Sequence, residues 1–251
     1  MVNNIILNNS INNVKLGDNQ ILKIFKGIDL VWSTSMPIAP SLYTGLIANY
    51  KLDETSGTTA IDETGNHNGI INGTPTLGVA SNLGNGYNFN YNAANFVDLQ
   101  TRDLIGGKAA FTIATWINSS NGDYYGAWTG SRIASFSFNV RPINYIYIGG
   151  AIKGGGFDSP FQGAWEGTEY VLILVKYDGV TLKTKVNNIF SNDSYAASGS
   201  VQAPVDCQTE RIGSNGRSSC GSTISSLQIW NRATTNEEDT NLWNGGSGII
   251  L

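Results

Sequence analysis

Charge is scarce in this chain and never gathers. Asp, Glu, Lys and Arg together make up 14% of the 251 residues, the formal net charge is -4, and no run of Lys or Arg occurs. Without a basic stripe there is no electrostatic footprint for a phosphate backbone, so nucleic acid is excluded as a partner. Histidine occurs once, at His67. A zinc site built on a His cluster and a Ser-His-Asp triad would both have to pass through that one loop residue. Cysteine occurs twice, at Cys207 and Cys220, too few for a disulfide framework, so stability has to come from packing. The two either pair across neighbouring strands or serve as small buried thiols. No stretch approaches the roughly 18 to 20 apolar residues that cross a bilayer, and the opening MVNNIILNNS lacks the charged and apolar regions of a signal peptide. The expectation is a soluble protein made in the cytosol, with no membrane insertion.

What is present is the material of short strands and tight turns. Apolar residues reach 41%, with 30 Gly and an abundance of Asn, a β-rich profile. Residues 1–36 contain strand candidates at 5–7, 14–16, 21–25 and 30–32, punctuated by Gly17-Asp18 and Gly27. A piece this small cannot carry its own core, so it has to pair with itself in an oligomer or dock on something larger. Residues 37–45 hold Pro37 and Pro40 without periodicity and read as a linker.

From 46 to 251, strand candidates recur at 46–52, 69–71, 87–90, 96–99, 111–117, 132–139, 145–148, 170–177, 182–186 and 224–230. Many strands with no intervening helix predict an all-β sandwich or jelly roll. In the run from Phe111, Phe111 and Ile113 share one face and Trp116 joins Thr112 and Ala114 on the other. A strand apolar on both faces lies deep in its sheet. One helix is predicted near the end, with Thr235 as N-cap, Glu238 closing a capping box and Gly245 as the stop. Trp116, Trp230 and Leu242 are expected in the core.

Six phrases in order resemble the laminin-G-like, concanavalin-A-like family found in bacterial and phage adhesins. They are Leu46-Ile-Ala-Asn-Tyr with the Asp62-Glu-Thr-Gly65-Asn66-His67-Asn68-Gly69 loop; Phe96-Val-Asp-Leu99; Phe111-Thr-Ile-Ala-Thr-Trp116-Ile; Glu169-Tyr170-Val-Leu with 183–187; Arg211-Ile-Gly-Ser; and Ile224-Ser-Ser-Leu-Gln-Ile-Trp230-Asn231-Arg232-Ala, ending in Leu242-Trp-Asn-Gly-Gly. The resemblance covers about 46–251 and implies a concanavalin-A-like jelly-roll sandwich used for binding. The leading segment, from Val14-Lys-Leu-Gly17 to Lys23-Ile-Phe-Lys-Gly27-Ile-Asp-Leu-Val-Trp32, looks like a short signature common in phage tail and virion proteins. It implies a virion component, made in the host cytoplasm, that meets other virion proteins through residues 1–36 and forms a homo-oligomer.

Catalysis finds little to work with. Relatives that cleave glucans carry a Glu-x-Asp-x-(x)-Glu strand, which is missing here, and a glycosidase needs two carboxyl groups about 5 to 10 Å apart. The close acidic groups are Asp62 with Glu63, Glu166 with Glu169, and Glu237 to Asp239, the last at a helix start where the dipole favours negative charge. The Gly154-Gly-Gly156 run opens no helix and is no phosphate cradle. The expectation is therefore a non-enzyme.

Two binding chemistries remain. The loop 62–69 offers oxygen ligands for calcium, with Asp62, Asn66 and Asn68 as candidates. Calcium-binding relatives add an Asp where this chain has Ser225 or Ser226, and the alternative use of these residues is turn formation. Sugar binding wants aromatic faces beside amides and carboxylates. Gly-rich loops at 121–128 and 157–166 supply both, with Tyr124, Tyr125, Trp128 and Trp165 as candidate glycan contacts, against a role as packed loop anchors. The functional expectation is a virion protein whose sandwich binds host-surface or environmental glycans; the alternatives are a purely structural virion spacer and a secreted bacterial carbohydrate-binding lectin.

Overall fold

The structure, a computed structural model, describes residues 14–16, 19–21, 23–26, 29–33, 38–101, 104–118, 128–129, 137–141, 145–149, 151–152, 155–156, 169–187, 189–196, 209–213 and 221–251; side chains are described for 38–101, 104–118, 169–187, 189, 209–213 and 221–251. The chain divides into two compact units, Met1–Ile38 and Ala39–Leu251. In the first, β1 (Val14–Leu16) pairs antiparallel with β2 (Asn19–Ile21), and β3 (Lys23–Lys26) with β4 (Asp29–Ser33). The expected strand at 21–25 is thus divided between β2 and β3. Residues 39–45 of the expected linker belong to the second unit.

That unit opens with a 3-10 turn, Pro40–Tyr43, and continues through β5 (Leu46–Tyr50), β6 (Thr59–Ala60), β7 (Gly69–Asn72), β8 (Thr76–Ser81), β9 (Gly84–Asn88) and β10 (Phe96–Asp98). Then come β11 (Phe111–Asn118), β12 (Trp128–Thr129), β13 (Ser137–Arg141), β14 (Tyr145–Gly149), β15 (Ala151–Ile152) and β16 (Gly155–Gly156). Last are β17 (Tyr170–Tyr177), β18 (Thr181–Val186), β19 (Ile189–Ala196), β20 (Arg211–Ile212), β21 (Thr223–Trp230) and the helix α1 (Asn236–Trp243). One sheet runs β14-β13-β12-β20-β10-β7-β6 and the other β19-β18-β17-β11-β21-β9-β8, with β5 also on β21. Every described pairing in them is antiparallel.

The core lies between these sheets. Ala60, Val97 and Ile212 from one, and Ala48, Tyr50, Phe111, Ile113, Ile173, Val175, Leu227 and Ile229 from the other, form one buried cluster. This is the all-β sandwich that the alternation predicted. Trp116, on the opposite face of β11, is nevertheless only 2% exposed, and Leu172, Leu174 and Trp230 are fully buried. A third layer explains this. The Trp230 indole donates to the Leu42 carbonyl at 2.6 Å, Asn49 donates to the Leu251 carbonyl at 3.1 Å, and Leu242 of α1 is buried. Gly248 lies so near Trp116 that an added Cβ would stand 3.1 Å from its indole; its φ of +67 also favours glycine. The run Val171–Val175 is apolar on both faces for this reason: each face has a layer to pack on.

The helix is capped as expected. Thr235 accepts from the Glu238 N–H, and the Glu238 carboxylate accepts from the Thr235 N–H. The stop comes one residue early, because Asn244 takes the left-handed conformation (φ 45, ψ 47) ahead of Gly245. Glu238 also takes a two-pronged ion pair from Arg232 at 2.7 and 2.8 Å, while the same guanidinium donates to the carbonyls of Ser41 and Thr44. One side chain therefore ties the end of β21 to the opening turn and to α1.

The Arg232 hydrogen bonds hold the Glu238 carboxyl at about 2, against its ordinary 4.5. A carboxyl lowered on folding stabilises the fold above its unfolded value and loses that contribution as pH falls through its folded value. The pair is expected to contribute on the order of 2 kcal/mol at neutral pH, discounted for the partly exposed guanidinium, and to lose it between about pH 5 and pH 2. Urea melts across that range should show Glu238→Gln flattening the acid limb; an unchanged limb would contradict this.

Candidate functional site

Asp62, Asn66 and Asn68 are brought together in one loop, where the geometry is that of a hydrogen-bonded turn. The Asp62 carboxylate, 2% exposed, accepts from the N–H groups of Asn49, Thr64 and His67 at 2.8, 3.1 and 3.0 Å and from the Thr64 hydroxyl at 2.6 Å. Asn68 accepts from the Asp62 N–H at 3.0 Å, and the Asn66 amide donates to the Thr64 hydroxyl at 3.1 Å. The oxygens a cation would take are turned onto protons. The Tyr50 hydroxyl, raised above its ordinary pKa by burial and by the Asp62 and Glu210 carboxylates, donates to the His67 carbonyl and pins the loop to the core.

The remaining expected contacts fall largely outside the described residues. Tyr124, Tyr125 and Trp165 do so entirely, as do Cys207 and Cys220; the backbone of Trp128 stands in β12, in register with Phe138, while its side chain is not described. Three of the described acidic groups are held in ion pairs. Glu63 pairs with Lys51 at 3.0 Å, Glu238 with Arg232, and Asp239 with two lysines. Among the described residues no group of three or more His, Cys, Asp or Glu gathers as a metal site, and no described helix is long and apolar enough to cross a membrane.

A different cluster stands on the open face of the β10 sheet. Val97 and Ile212 face the core, so the alternate residues Phe96, Asp98 and Arg211 face away from it. The register sets Asp98 between Arg211 and Ile70, and Phe96 opposite Asn72. The Arg211 guanidinium carbon lies 4.1 Å from the centre of the Phe96 ring. A planar cation on an aromatic face is attracted by the ring quadrupole and held flat. Asp98 is occupied otherwise, accepting from the Thr209 hydroxyl at 2.6 Å and the Gln100 N–H at 2.9 Å. Ile70 is 46% exposed, so the patch opens to solvent. It therefore sets an aromatic ring, a guanidinium, a carboxylate and an amide on one sheet surface, the Asn72 amide donating to the Ile70 carbonyl at 2.9 Å. A second exposed aromatic, Tyr91, is held at φ 53 with its ring against Gly221.

The strand alternation could have found Phe96 and Asp98 on the outer face. Arg211 arrives from a strand more than a hundred positions away and carries no local signal. The cleft beside α1, lined by Lys176, Asp178, Thr181, Lys183, Thr234 and Asn236, measures about 130 Å³, below the roughly 300 Å³ at which small-molecule sites begin.

No protein-family model and no curated protein matches this chain. Solved structures do match. Domain 4 of AbnA, a GH43 extracellular arabinanase from Geobacillus stearothermophilus, in complex with arabinotriose, aligns at TM-score 0.61 and 16% identity over 78% of this chain and 97% of that one. Trypanosoma rangeli sialidase aligns at 0.59 and 14% over 85% of this chain, and the receptor binding domain of botulinum neurotoxin C/D mosaic serotype at 0.60 and 11% over 80%. This chain spans 36% of that sialidase and 51% of that toxin domain. At these identities the likeness is one of fold: the chain is an all-β sandwich.

Proposed function

We propose that the chain is a non-catalytic glycan-binding protein of a virion, with the sandwich holding host-surface or environmental saccharides and residues 1–36 joining it to other virion proteins. The observation that carries the binding half is the open face of Phe96, Arg211, Asp98 and Asn72. Pyranoses are recognised by an aromatic platform against their apolar face with amides and charged groups on their hydroxyls, and this patch has both on rigid strands. The complex of the structurally similar arabinanase domain with arabinotriose supports the same reading. The virion half rests on the N-terminal signature and on a first unit with too few residues for its own core. Its test is whether antibody to the chain labels released particles.

The binding half is tested by displaying the full chain densely on a glycan array beside Phe96→Ala. Removing the platform is expected to lower the signal roughly tenfold, the equivalent of about 1.4 kcal/mol, with the melting temperature nearly kept because the ring stands on the open face. An array on which the two proteins bind alike would contradict this site.

A further inference from the structure

We infer that the saccharide recognised at this face is acidic, and that Arg211 receives its carboxylate. The inference rests on the glycan-binding reading and adds the chemical class of the ligand. Arg211 makes no ion pair among the described residues, although Asp98 is its register partner across the strand pair. Asp98 instead spends its oxygens on Thr209 and Gln100. The Arg211 Nε is buried and finds no acceptor among the described residues. A buried donor without an acceptor is costly, and a charged one more so, so the fold keeps this guanidinium incompletely satisfied at a partly exposed position.

The contrast with Arg232 is informative. That arginine fills its donors with the Glu238 carboxylate and the carbonyls of Ser41, Thr44 and Ala233, which is what a structural arginine does. Arg211 is stacked on Phe96 and takes no carboxylate among the described residues. A guanidinium so held pairs best with a planar carboxylate, two parallel N–H donors to two oxygens. Phe96 then holds the guanidinium plane flat toward the sugar that bears the carboxylate. A uronic or sialic-type residue has this combination; a neutral hexose lacks the anion, and a sulfate lacks the planar pair.

The test uses the full chain on beads against an array carrying sialylated, uronate-containing, sulfated and neutral glycans. Arg211→Gln, Arg211→Lys and the charge control Lys183→Gln run beside it, each checked by melting. Carboxylated glycans are expected to dominate. Arg211→Gln should lower their binding roughly 10- to 100-fold, the range for a charge-assisted pair; Arg211→Lys should recover only part, and Lys183→Gln should leave binding unchanged. Binding confined to neutral or sulfated glycans, or retained in a folded Arg211→Gln protein, overturns the inference while leaving glycan binding intact. Absence of binding to any glycan overturns the functional reading as well.

Discussion

Replacing Asp239 by asparagine is expected to cost the sandwich about 3 to 5 kcal/mol, the usual result of breaking a buried ion pair from one side. Asp239 is fully buried, and one of its oxygens receives both Lys176 at 2.7 Å and Lys185 at 2.9 Å. The other accepts from the Thr234 hydroxyl at 2.6 Å. Burial pushes the Lys176 ammonium below its ordinary pKa, and the Asp239 carboxylate opposes that shift. An asparagine leaves two ammonium groups facing an uncharged amide, with the helix no longer tied to β17 and β18. At this size of domain the melting temperature should fall on the order of 10 °C. Adding Lys176→Met and Lys185→Met to Asp239→Asn should restore much of the loss, because an apolar group in place of a buried charge is often neutral or better. A single Asp239→Asn protein that melts with the parent would show the cluster to be energetically idle.

Trp116→Ala is expected to cost a similar amount, about 3 to 5 kcal/mol, through lost burial and an unfilled cavity. The indole is 2% exposed and sits under Gly248 and Leu83, between β11 and the terminal layer. Neither neighbour can collapse freely into the space, since the backbone at Gly248 is held by its own turn. Trp116→Phe should recover part of the loss. A melting curve unchanged by Trp116→Ala would mean that the outer layer does not close over this strand.

The strands that the sequence made legible are those buried in the sheet middles. Phe111–Asn118, Tyr170–Tyr177 and Thr223–Trp230 carry apolar residues at most positions where two layers press on them. Thr76–Ser81 and Ile189–Ala196 left no such pattern, because they are the terminal strands of their sheet and the described part of the first is exposed or half-buried throughout. An edge strand is specified by its neighbour's backbone more than by its own side chains. The phrase ending Trp230-Asn231-Arg232 was readable as a motif, while its work was not: Arg232 reaches the Ser41 and Thr44 carbonyls about 190 positions away in the sequence. The open face divides the same way. Phe96 and Asp98 follow from alternation around Val97, whereas Arg211 joins them only through the β10–β20 pairing. The loop at Asp62 had two chemical uses on paper, and its carboxylate accepts three hydrogen bonds from the loop itself and one from Asn49 of β5, contacts that the sequence could not show.

The most direct test of a non-catalytic, glycan-binding sandwich compares the full chain as dilute protein and as a dense coat on beads, both against host-cell glycans, with released sugar assayed in parallel. A shallow face buries little of a saccharide, and multiplicity can raise avidity about 10² to 10⁴ over a single site. The account predicts weak binding in solution, firm binding on beads and no released sugar. Release of sugar, equally tight binding in both formats, or no binding in either would contradict it.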